Sequence, residues 1–278
     1  MLTTEQIQEL EEYSLPEAIA FITALFPGKV VFSSSLGQED QVLTDVIFRN
    51  ALPVNIFTID TGRLFNETYE LLDRIEARYK NKVQIYFPEA TDVQSFVNTK
   101  GINSFYESVD NRKECCHIRK VKPLNRALEG AAVWITGLRA EQSGNRQQMP
   151  LIEWMEDRQL YKFNPLLRWS YDEMLAYIDQ YNVPYSPLHD KGFISIGCAP
   201  CTRAIEPGED ARAGRWWWET SHKECGLHST VVNLFEGKEL TLEQTVVPVC
   251  TRGFLSSTMI PLQHWQKLTA LYLRGLEP

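Results

Sequence analysis

The sequence has no hydrophobic segment long enough to cross a bilayer. Its longest apolar run near the start extends from Ala18 to Phe26, between Glu17 and Pro27, whereas a membrane-spanning helix needs about 20 apolar residues. The run also lacks the basic flank that precedes the apolar core of a signal peptide. We therefore expect a cytoplasmic protein with no membrane partner.

An excess of positive charge is absent as well. Twenty-eight Lys and Arg residues against 36 Asp and Glu residues give a formal charge of −8, so no global field attracts a nucleic acid backbone. Hydrophobic residues make up 44% of the 278 positions, which is typical of a folded protein with a sizeable core. The composition predicts a globular protein of enzyme size that can bind a small anion in a local basic pocket, with no nucleic acid partner.

Alternating apolar runs and amphipathic stretches predict the fold class. Strand-like runs at 29–33, 54–59, 83–87 and 132–136 alternate with helix-like segments at 14–26, 65–79, 114–128 and 171–181. This order is typical of an α/β protein with a mostly parallel twisted sheet and flanking helices. Ligands of such sheets bind beyond the carboxyl ends of the strands, so functional residues are expected there.

Polar loops follow three of these strands. The first strand leads into a serine-rich turn before a helix, where amides and hydroxyls can surround a phosphate. The turn is neither a GxGxxG loop nor a Walker loop, which leaves an ordinary turn as the alternative. Similar polar loops, Asp60-Thr-Gly62 and Gly137-Leu-Arg139, follow two other strands. Together they resemble the nucleotide pocket of the PP-loop superfamily, whose fold is adenine nucleotide alpha hydrolase-like.

Two cysteine pairs stand out among the six cysteines of the chain. Cys115 and Cys116 are adjacent on a predicted helix, and Cys198 and Cys201 form a CxxC turn. In a reducing cytoplasm a disulfide framework is not expected. Four thiolates can hold either zinc or an iron–sulfur cluster, and plain buried thiols are the third interpretation.

The two other cysteines differ in their surroundings. Cys225 lies among His and Lys residues that favour the reactive thiolate, although a lone cysteine is more often a buried apolar residue. Cys250 has no such neighbours and is interpreted as structural. Positive charge is concentrated near the tandem pair, where Lys120 lies, and again at Arg212 and Arg215, before three consecutive tryptophans. These cations either form a solvated surface or stabilise nearby anions.

Seven motifs in order resemble the assimilatory adenylyl-sulfate reductases and cover roughly residues 14–228. They are Ser33-Ser-Ser-x-Gly-x-Glu-Asp40, Ile59-Asp-Thr-Gly62, Lys113-Glu-Cys-Cys-His-Ile-Arg-Lys120, Gly137-Leu-Arg-x-x-Gln-Ser143, Gly197-Cys-x-x-Cys201, Arg212-Ala-Gly-Arg-Trp-Trp-Trp-Glu219 and Glu224-Cys-Gly-Leu-His228. The resemblance implies reduction of adenosine 5'-phosphosulfate to sulfite and AMP. Cys225 is then the catalytic nucleophile that accepts the sulfur and becomes a thiosulfonate.

The same resemblance implies a cofactor and a substrate site. A [4Fe–4S] cluster would be held by Cys115, Cys116, Cys198 and Cys201. The implied substrate-binding residues are Ser33, Ser34, Ser35, Gly37, Asp60, Thr61, Gly62, Lys120, Gly137, Arg139, Arg212, Arg215 and His228. Only 50 residues and one cysteine follow His228, so release of sulfite is expected to need an external thioredoxin or a similar dithiol protein.

The expected organisation has three parts. Residues 1–206 form a nucleotide-binding, cluster-bearing catalytic domain, 207–228 a mobile segment that carries Cys225, and 229–278 an extension of unknown role. The sequence leaves open whether the chain forms a homo-oligomer. Three other functions also stay open: reduction of the 3'-phosphorylated substrate, nucleotide binding without turnover by an iron–sulfur sensor, and ATP-dependent ligation by a PP-loop enzyme.

Overall fold

A six-stranded sheet lies at the centre of the computed structural model, which describes residues 1–142 and 148–219. The strands are β1 (Val30–Ser33), β2 (Asn55–Ile59), β3 (Gln84–Tyr86), β4 (Val133–Ile135), β5 (Ile152–Met155) and β6 (Leu160–Phe163). Their order in the sheet is β3-β2-β1-β4-β6-β5. Strands β2 and β3 therefore extend outward from β1 on one side, and β4, β6 and β5 on the other.

All neighbouring strands pair in parallel except the edge pair. Val31 of β1 lies opposite Asn55 of β2 on one side and Trp134 of β4 on the other. β5 and β6 form an antiparallel hairpin at one edge, with Ile152 opposite Phe163. The predicted α/β class with a mostly parallel sheet is confirmed, and the hairpin is an addition that the sequence pattern did not indicate.

Eight α-helices flank the sheet in the described part of the chain. They are α1 (Thr4–Glu12), α2 (Leu15–Leu25), α3 (Gln38–Arg49), α4 (Asn66–Tyr79), α5 (Ala90–Lys100), α6 (Val109–Cys116), α7 (Lys122–Ala127) and α8 (Tyr171–Tyr181). Capping boxes begin α2 at Ser14 and α8 at Ser170. In each, the serine side chain accepts a hydrogen bond from the backbone N–H three positions later, and the glutamate at that position accepts one from the serine backbone N–H. Both helix starts were expected from the sequence.

The predicted helix over 114–128 is wrong in one respect, because three segments replace it. α6 ends at Cys116, a π-helical turn runs over His117–Val121, and α7 follows. Pro123 has no backbone N–H and cannot donate to the carbonyl four residues earlier, which disfavours a continuous α-helix. Single π-helical turns are frequent at functional sites, and this one carries Arg119 and Lys120.

Apolar side chains cover both faces of the sheet. The larger cluster joins helices α2, α3 and α8 to the sheet through residues such as Ile19, Leu43 and Met174. On the opposite face, Leu124 of α7 packs in a second cluster with Phe57 and Trp134. Among residues 1–142 and 148–219, no helix combines the length and apolar character that crossing a membrane requires.

Candidate functional site

The serine-rich turn after β1 is held by hydrogen bonds to the first turn of α3. The backbone N–H and the hydroxyl of Ser35 both donate to Oδ2 of Asp40, at 2.5 and 2.6 Å. Leu36 adopts a left-handed conformation with φ of 63°, and its N–H donates to Ser34 Oγ at 3.2 Å. These contacts fix the turn at the amino end of α3, where the helix dipole favours an anion.

Asp40 also contacts the loop after β4. A Cβ atom on Gly137 would lie 2.0 Å from Asp40 Oδ1, so only glycine permits this approach of the two loops. Burial raises the pKa of Asp40 to about 7, and the hydrogen bonds from Ser35 oppose that rise. Glycine at position 137 therefore allows the loops after β1 and β4 to pack closely against each other.

The loop after β2 is shaped by its own aspartate. Asp60 Oδ1 accepts the N–H of Gly62 at 2.7 Å, and the carboxylate also accepts the hydroxyl of Tyr69. Arg119 from the π-helical turn donates to the carbonyl of Thr61 at 2.7 Å. The Asp60 carboxylate is thus used to hold the turn, and Thr61 is the residue of this loop that faces the ligand space.

A cavity of about 540 Å³ opens at these three strand ends, within the size range of small-molecule sites. We call it the strand-end cavity. Of the substrate-binding residues proposed from the sequence, those that line it are Ser33, Ser34, Ser35, Gly37, Thr61, Lys120, Gly137, Arg139, Arg212 and Arg215. Asp60 and Gly62 lie behind the lining, and Cys225 and His228 lie outside the described residues.

Charges of both signs line the strand-end cavity. Arg139 is buried and donates from Nε and Nη2 to one oxygen of Glu39, at 3.0 and 2.9 Å, and from Nη1 to Glu141 at 3.1 Å. Lys120, Arg212 and Arg215 line the same cavity. The sequence identified the arginines, but not the two carboxylates that pair with Arg139.

Arg215 lies against a glycine. Its Nη1 donates to Ser195 Oγ at 3.3 Å and to the carbonyl of Ile196 at 3.2 Å. A Cβ atom on Gly197 would lie 2.4 Å from Nη2 of this guanidinium. Glycine at 197 therefore provides the space in which Arg215 lies.

His189 is a lining residue that the sequence reasoning missed. Neither ring nitrogen of His189 has a hydrogen-bond partner among the described residues, and both nitrogens are buried. Burial lowers the pKa of the imidazole, while Glu39 and Asp190 oppose that change. The neutral ring has one donor and one acceptor and lines the cavity, so a ligand could contact these nitrogens only after the ring turns toward it.

The four paired cysteines line a second, much smaller space of about 20 Å³, which we call the cysteine chamber. Cys115 and Cys116 reach it from the end of α6, and Cys198 and Cys201 from the CxxC turn. None of the four forms a disulfide within the described part of the chain. Four cationic residues share the lining: Arg63, Arg112, Arg119 and Lys120.

Burial dominates the electrostatics of these thiols. It raises the pKa of Cys201 to about 12, helped by Cys198 and opposed by Lys120, and it raises the pKa of Cys115 against the effect of Arg119. Within residues 1–142 and 148–219, no group of three or more His, Cys, Asp or Glu side chains has the arrangement of a ready-made metal site. Binding of a metal would displace the thiol protons of these cysteines.

The two spaces share a wall. Lys120 and Cys198 line both the strand-end cavity and the cysteine chamber. The side chain of Thr61, which also lines the strand-end cavity, lies 3.2 Å from Cys198 Sγ through its hydroxyl oxygen. Any negative charge held in the chamber therefore acts on groups that would contact a ligand in the cavity.

Comparison with known proteins gives consistent results. The phosphoadenosine phosphosulfate reductase domain family matches residues 29–204. An adenosine 5'-phosphosulfate reductase of Agrobacterium fabrum is 50% identical over 211 residues, which cover 76% of this chain and 81% of that protein. One from Allochromatium vinosum is 52% identical over 200 residues, covering 72% and 78% of the two chains.

A solved structure shows the same fold. The phosphoadenylyl-sulfate reductase of Candida auris, in a phosphate complex, superposes with a TM-score of 0.63 at 31% identity. The match covers 73% of this chain and 98% of that one.

Proposed function

The chain belongs to the phosphoadenosine phosphosulfate reductase domain family, and on this premise we propose that it reduces adenosine 5'-phosphosulfate to sulfite and AMP in sulfate assimilation. The observation that carries the proposal is the shared wall: a nucleotide-sized cavity adjoins a chamber lined by four cysteines. Curated relatives about 50% identical are named for this substrate. The family resemblance of the sequence motifs also links the four cysteines to reduction of adenosine 5'-phosphosulfate.

The four thiols fit a [4Fe–4S] cluster by their chemistry. Such clusters are held by four cysteine thiolates. Cys115, Cys116, Cys198 and Cys201 line one chamber, and three of them are buried while Cys115 is partly exposed. The cationic residues Arg63, Arg112, Arg119 and Lys120 on the same lining would offset the negative charge of the thiolates. When bound, the cluster would supply fixed charge beside the substrate, and it would not carry the electrons of the reaction.

The proposed reaction forms and breaks one bond at sulfur in its first step. The Cys225 thiolate attacks the sulfate sulfur, the bond from sulfur to the bridging oxygen breaks, and AMP leaves with that electron pair. The product is a thiosulfonate on Cys225. AMP is a stable anionic leaving group, so this step needs no strong general acid.

Cationic side chains of the protein provide most of the transition-state stabilisation in this step. Negative charge on the sulfonyl and phosphate oxygens shifts as the bond breaks, and fixed cations in a water-poor site stabilise it. Lys120, Arg212 and Arg215 line the cavity in positions to do so, while the serine-rich turn receives the phosphate at the start of α3. Arg139 is paired with Glu39 and Glu141, which suits it to orient the nucleotide.

A second thiol must release the product. A cytoplasmic dithiol protein of the thioredoxin type would attack Cys225 Sγ, expel sulfite and form a mixed disulfide, which its own second thiol then resolves. The two electrons that reduce the sulfur come from that dithiol.

The decisive assay is sulfite release by anaerobically purified protein supplied with thioredoxin and its reductase. We expect kcat/KM for adenosine 5'-phosphosulfate to exceed that for the 3'-phosphorylated compound. The Candida auris structure makes the second substrate the serious rival, and a preference for it would overturn the substrate assignment. Pyrophosphate release from ATP would instead indicate a ligase, and binding without sulfite would indicate a sensor.

A further inference from the structure

A buried ion pair joins the helix of the tandem cysteines to the end of the described chain. Arg112 of α6 donates from Nε and Nη2 to the two carboxylate oxygens of Glu219, at 2.9 and 2.7 Å. The exposed fractions of the two side chains are 1% and 4%. Two-point pairing of this kind fixes orientation as well as distance. It is also remote in sequence, since the partners lie 107 positions apart.

The segment that ends at Glu219 is attached to the CxxC turn by backbone contacts. Arg203 N–H donates to the carbonyl of Gly214 at 3.0 Å, and Trp216 N–H donates to the carbonyl of Cys201 at 3.1 Å. A Cβ atom on Gly214 would lie 2.2 Å from the Arg203 carbonyl oxygen. Glu219 N–H closes the last turn on the Trp216 carbonyl at 2.9 Å. Residues 214–219 are thus held in place at both ends.

Trp216 contacts one arginine from each of the two spaces. Trp216 is 1% exposed, and its ring contacts two guanidinium groups, with Arg112 Cζ at 4.6 Å and Arg215 Cζ at 4.7 Å from the ring centroid. Arg112 lines the cysteine chamber, and Arg215 lines the strand-end cavity. Its backbone is left-handed, with φ of 42°, a conformation that surrounding contacts must stabilise.

We propose that the Arg112–Glu219 ion pair is a positioning device that couples the cysteine chamber to the reacting end of the strand-end cavity. Through Trp216 it sets the place of Arg215, and it fixes the chain six positions before Cys225. This inference rests on the proposed function and adds to it a pair of residues that touch neither the substrate nor the reacting sulfur. Small displacements of a charged group in an active site cost about 10²-fold in rate.

The test compares Glu219→Gln with a matched change on α6, the helix that carries Arg112. Glu114→Gln removes the carboxylate of the exposed Lys100–Glu114 pair and serves as the control. Each variant is assayed for iron content, affinity for adenosine 5'-phosphosulfate, single-turnover sulfonate transfer to Cys225, and alkylation of Cys225 by iodoacetamide without substrate. Alkylation reports the intrinsic reactivity of the thiol, which a positioning residue does not alter.

We expect Glu219→Gln to slow sulfonate transfer about tenfold or more, with iron content and alkylation rate as in the wild type and a smaller change in affinity. Glu219→Asp keeps the charge, is the lesser risk to folding, and should recover part of the transfer rate. Transfer at the wild-type rate in Glu219→Gln, or a parallel fall of iron content and rate in both variants, would overturn the proposal. Wild-type protein that transfers no sulfonate would overturn the proposed function itself.

Discussion

The strand-end cavity and the cysteine chamber lie on two sides of one wall, yet they satisfy their polar groups in different ways. In the cavity, protein groups already pair with one another, as Ser35 does with Asp40 and Arg139 with Glu39. In the chamber, four thiols meet cationic side chains in a space of about 20 Å³. Burial keeps the pKa of the Cys115 and Cys201 thiols high there.

This difference indicates which space is complete without a cofactor. The cavity is formed by hydrogen bonds that exist in the protein itself, so a nucleotide can enter a site that is largely prepared. The chamber concentrates cations around sulfur atoms that acquire charge only when they lose their protons. A bound metal centre with its thiolates would add negative charge beside those cations, of which Arg112 already pairs with Glu219 and Arg119 with the Thr61 carbonyl. Each prediction below alters one of the two spaces.

The largest effect should come from the chamber. Cys201→Ser replaces a good iron ligand by a poor one with little change in volume, so the variant should lose most of its iron and sulfide and release almost no sulfite. Iron and acid-labile sulfide are measured after anaerobic purification, with Cys250→Ser as the control that keeps both. Full iron content in Cys201→Ser would remove this cysteine from the ligand set.

Gly197→Ala alters the strand-end cavity, which Gly197 lines. The added Cβ would lie 2.4 Å from Arg215 Nη2 and 2.6 Å from Cζ, so the guanidinium must move. We expect kcat to fall about 10²-fold, with iron content unchanged. The double variant with Arg215→Ala should be no slower than Arg215→Ala alone. Independent, additive losses would mean that Gly197 acts through something other than Arg215.

His189→Leu tests whether the unpartnered imidazole serves the ligand. Because both ring nitrogens are buried without partners in the described residues, an apolar side chain should stabilise the free protein while weakening substrate affinity about tenfold. Thermal unfolding and equilibrium binding measure the two effects. If the variant binds adenosine 5'-phosphosulfate as tightly as the wild type, His189 makes no contact with the substrate.

Asp40→Asn should produce the smallest effect, visible in the pH dependence of stability. Burial raises the pKa of Asp40 to about 7, so the folded protein holds a proton that the unfolded chain releases at about 4. The contribution of this carboxyl is therefore full below about pH 4 and is lost as the pH rises to about 7. The Tm difference, wild type minus variant, should decrease from pH 5 to pH 8. A difference that increases over this range would contradict the assignment.

The sequence predicted the sheet well because its cues are local. Apolar runs bounded by turn residues locate β1, β2, β3 and β4, and capping boxes locate the starts of α2 and α8. In the hairpin of β5 and β6, a charged residue interrupts each short apolar run, Glu153 in one strand and Lys162 in the other. These two residues pair across the strands only once the sheet has formed. The π-helical turn follows from Pro123, whose effect within a helical pattern was not recognised.

The candidate site was predictable where a motif marks it and not elsewhere. The serines, the cysteine pairs and the arginines belong to motifs, and in the structure they line either the strand-end cavity or the cysteine chamber. Glu39 and Glu141 approach Arg139 through the fold, and His189 lies in an irregular stretch without periodicity. The mobility expected for 207–228 stays a prediction. Within that range Trp216 and Glu219 make contacts with the rest of the protein, and residues 220–228 lie outside the described part.

The central claim, that this chain transfers the sulfonate of adenosine 5'-phosphosulfate to Cys225, is tested most directly by mass spectrometry. Anaerobically purified protein is mixed with the substrate in the absence of any dithiol, and the cysteine-containing peptides are analysed while AMP is counted. The account predicts one SO₃ group on Cys225 for each AMP formed, and no adduct in Cys225→Ser, which should still bind the substrate. An adduct on Cys250, or sulfite released by Cys225→Ser, would contradict it.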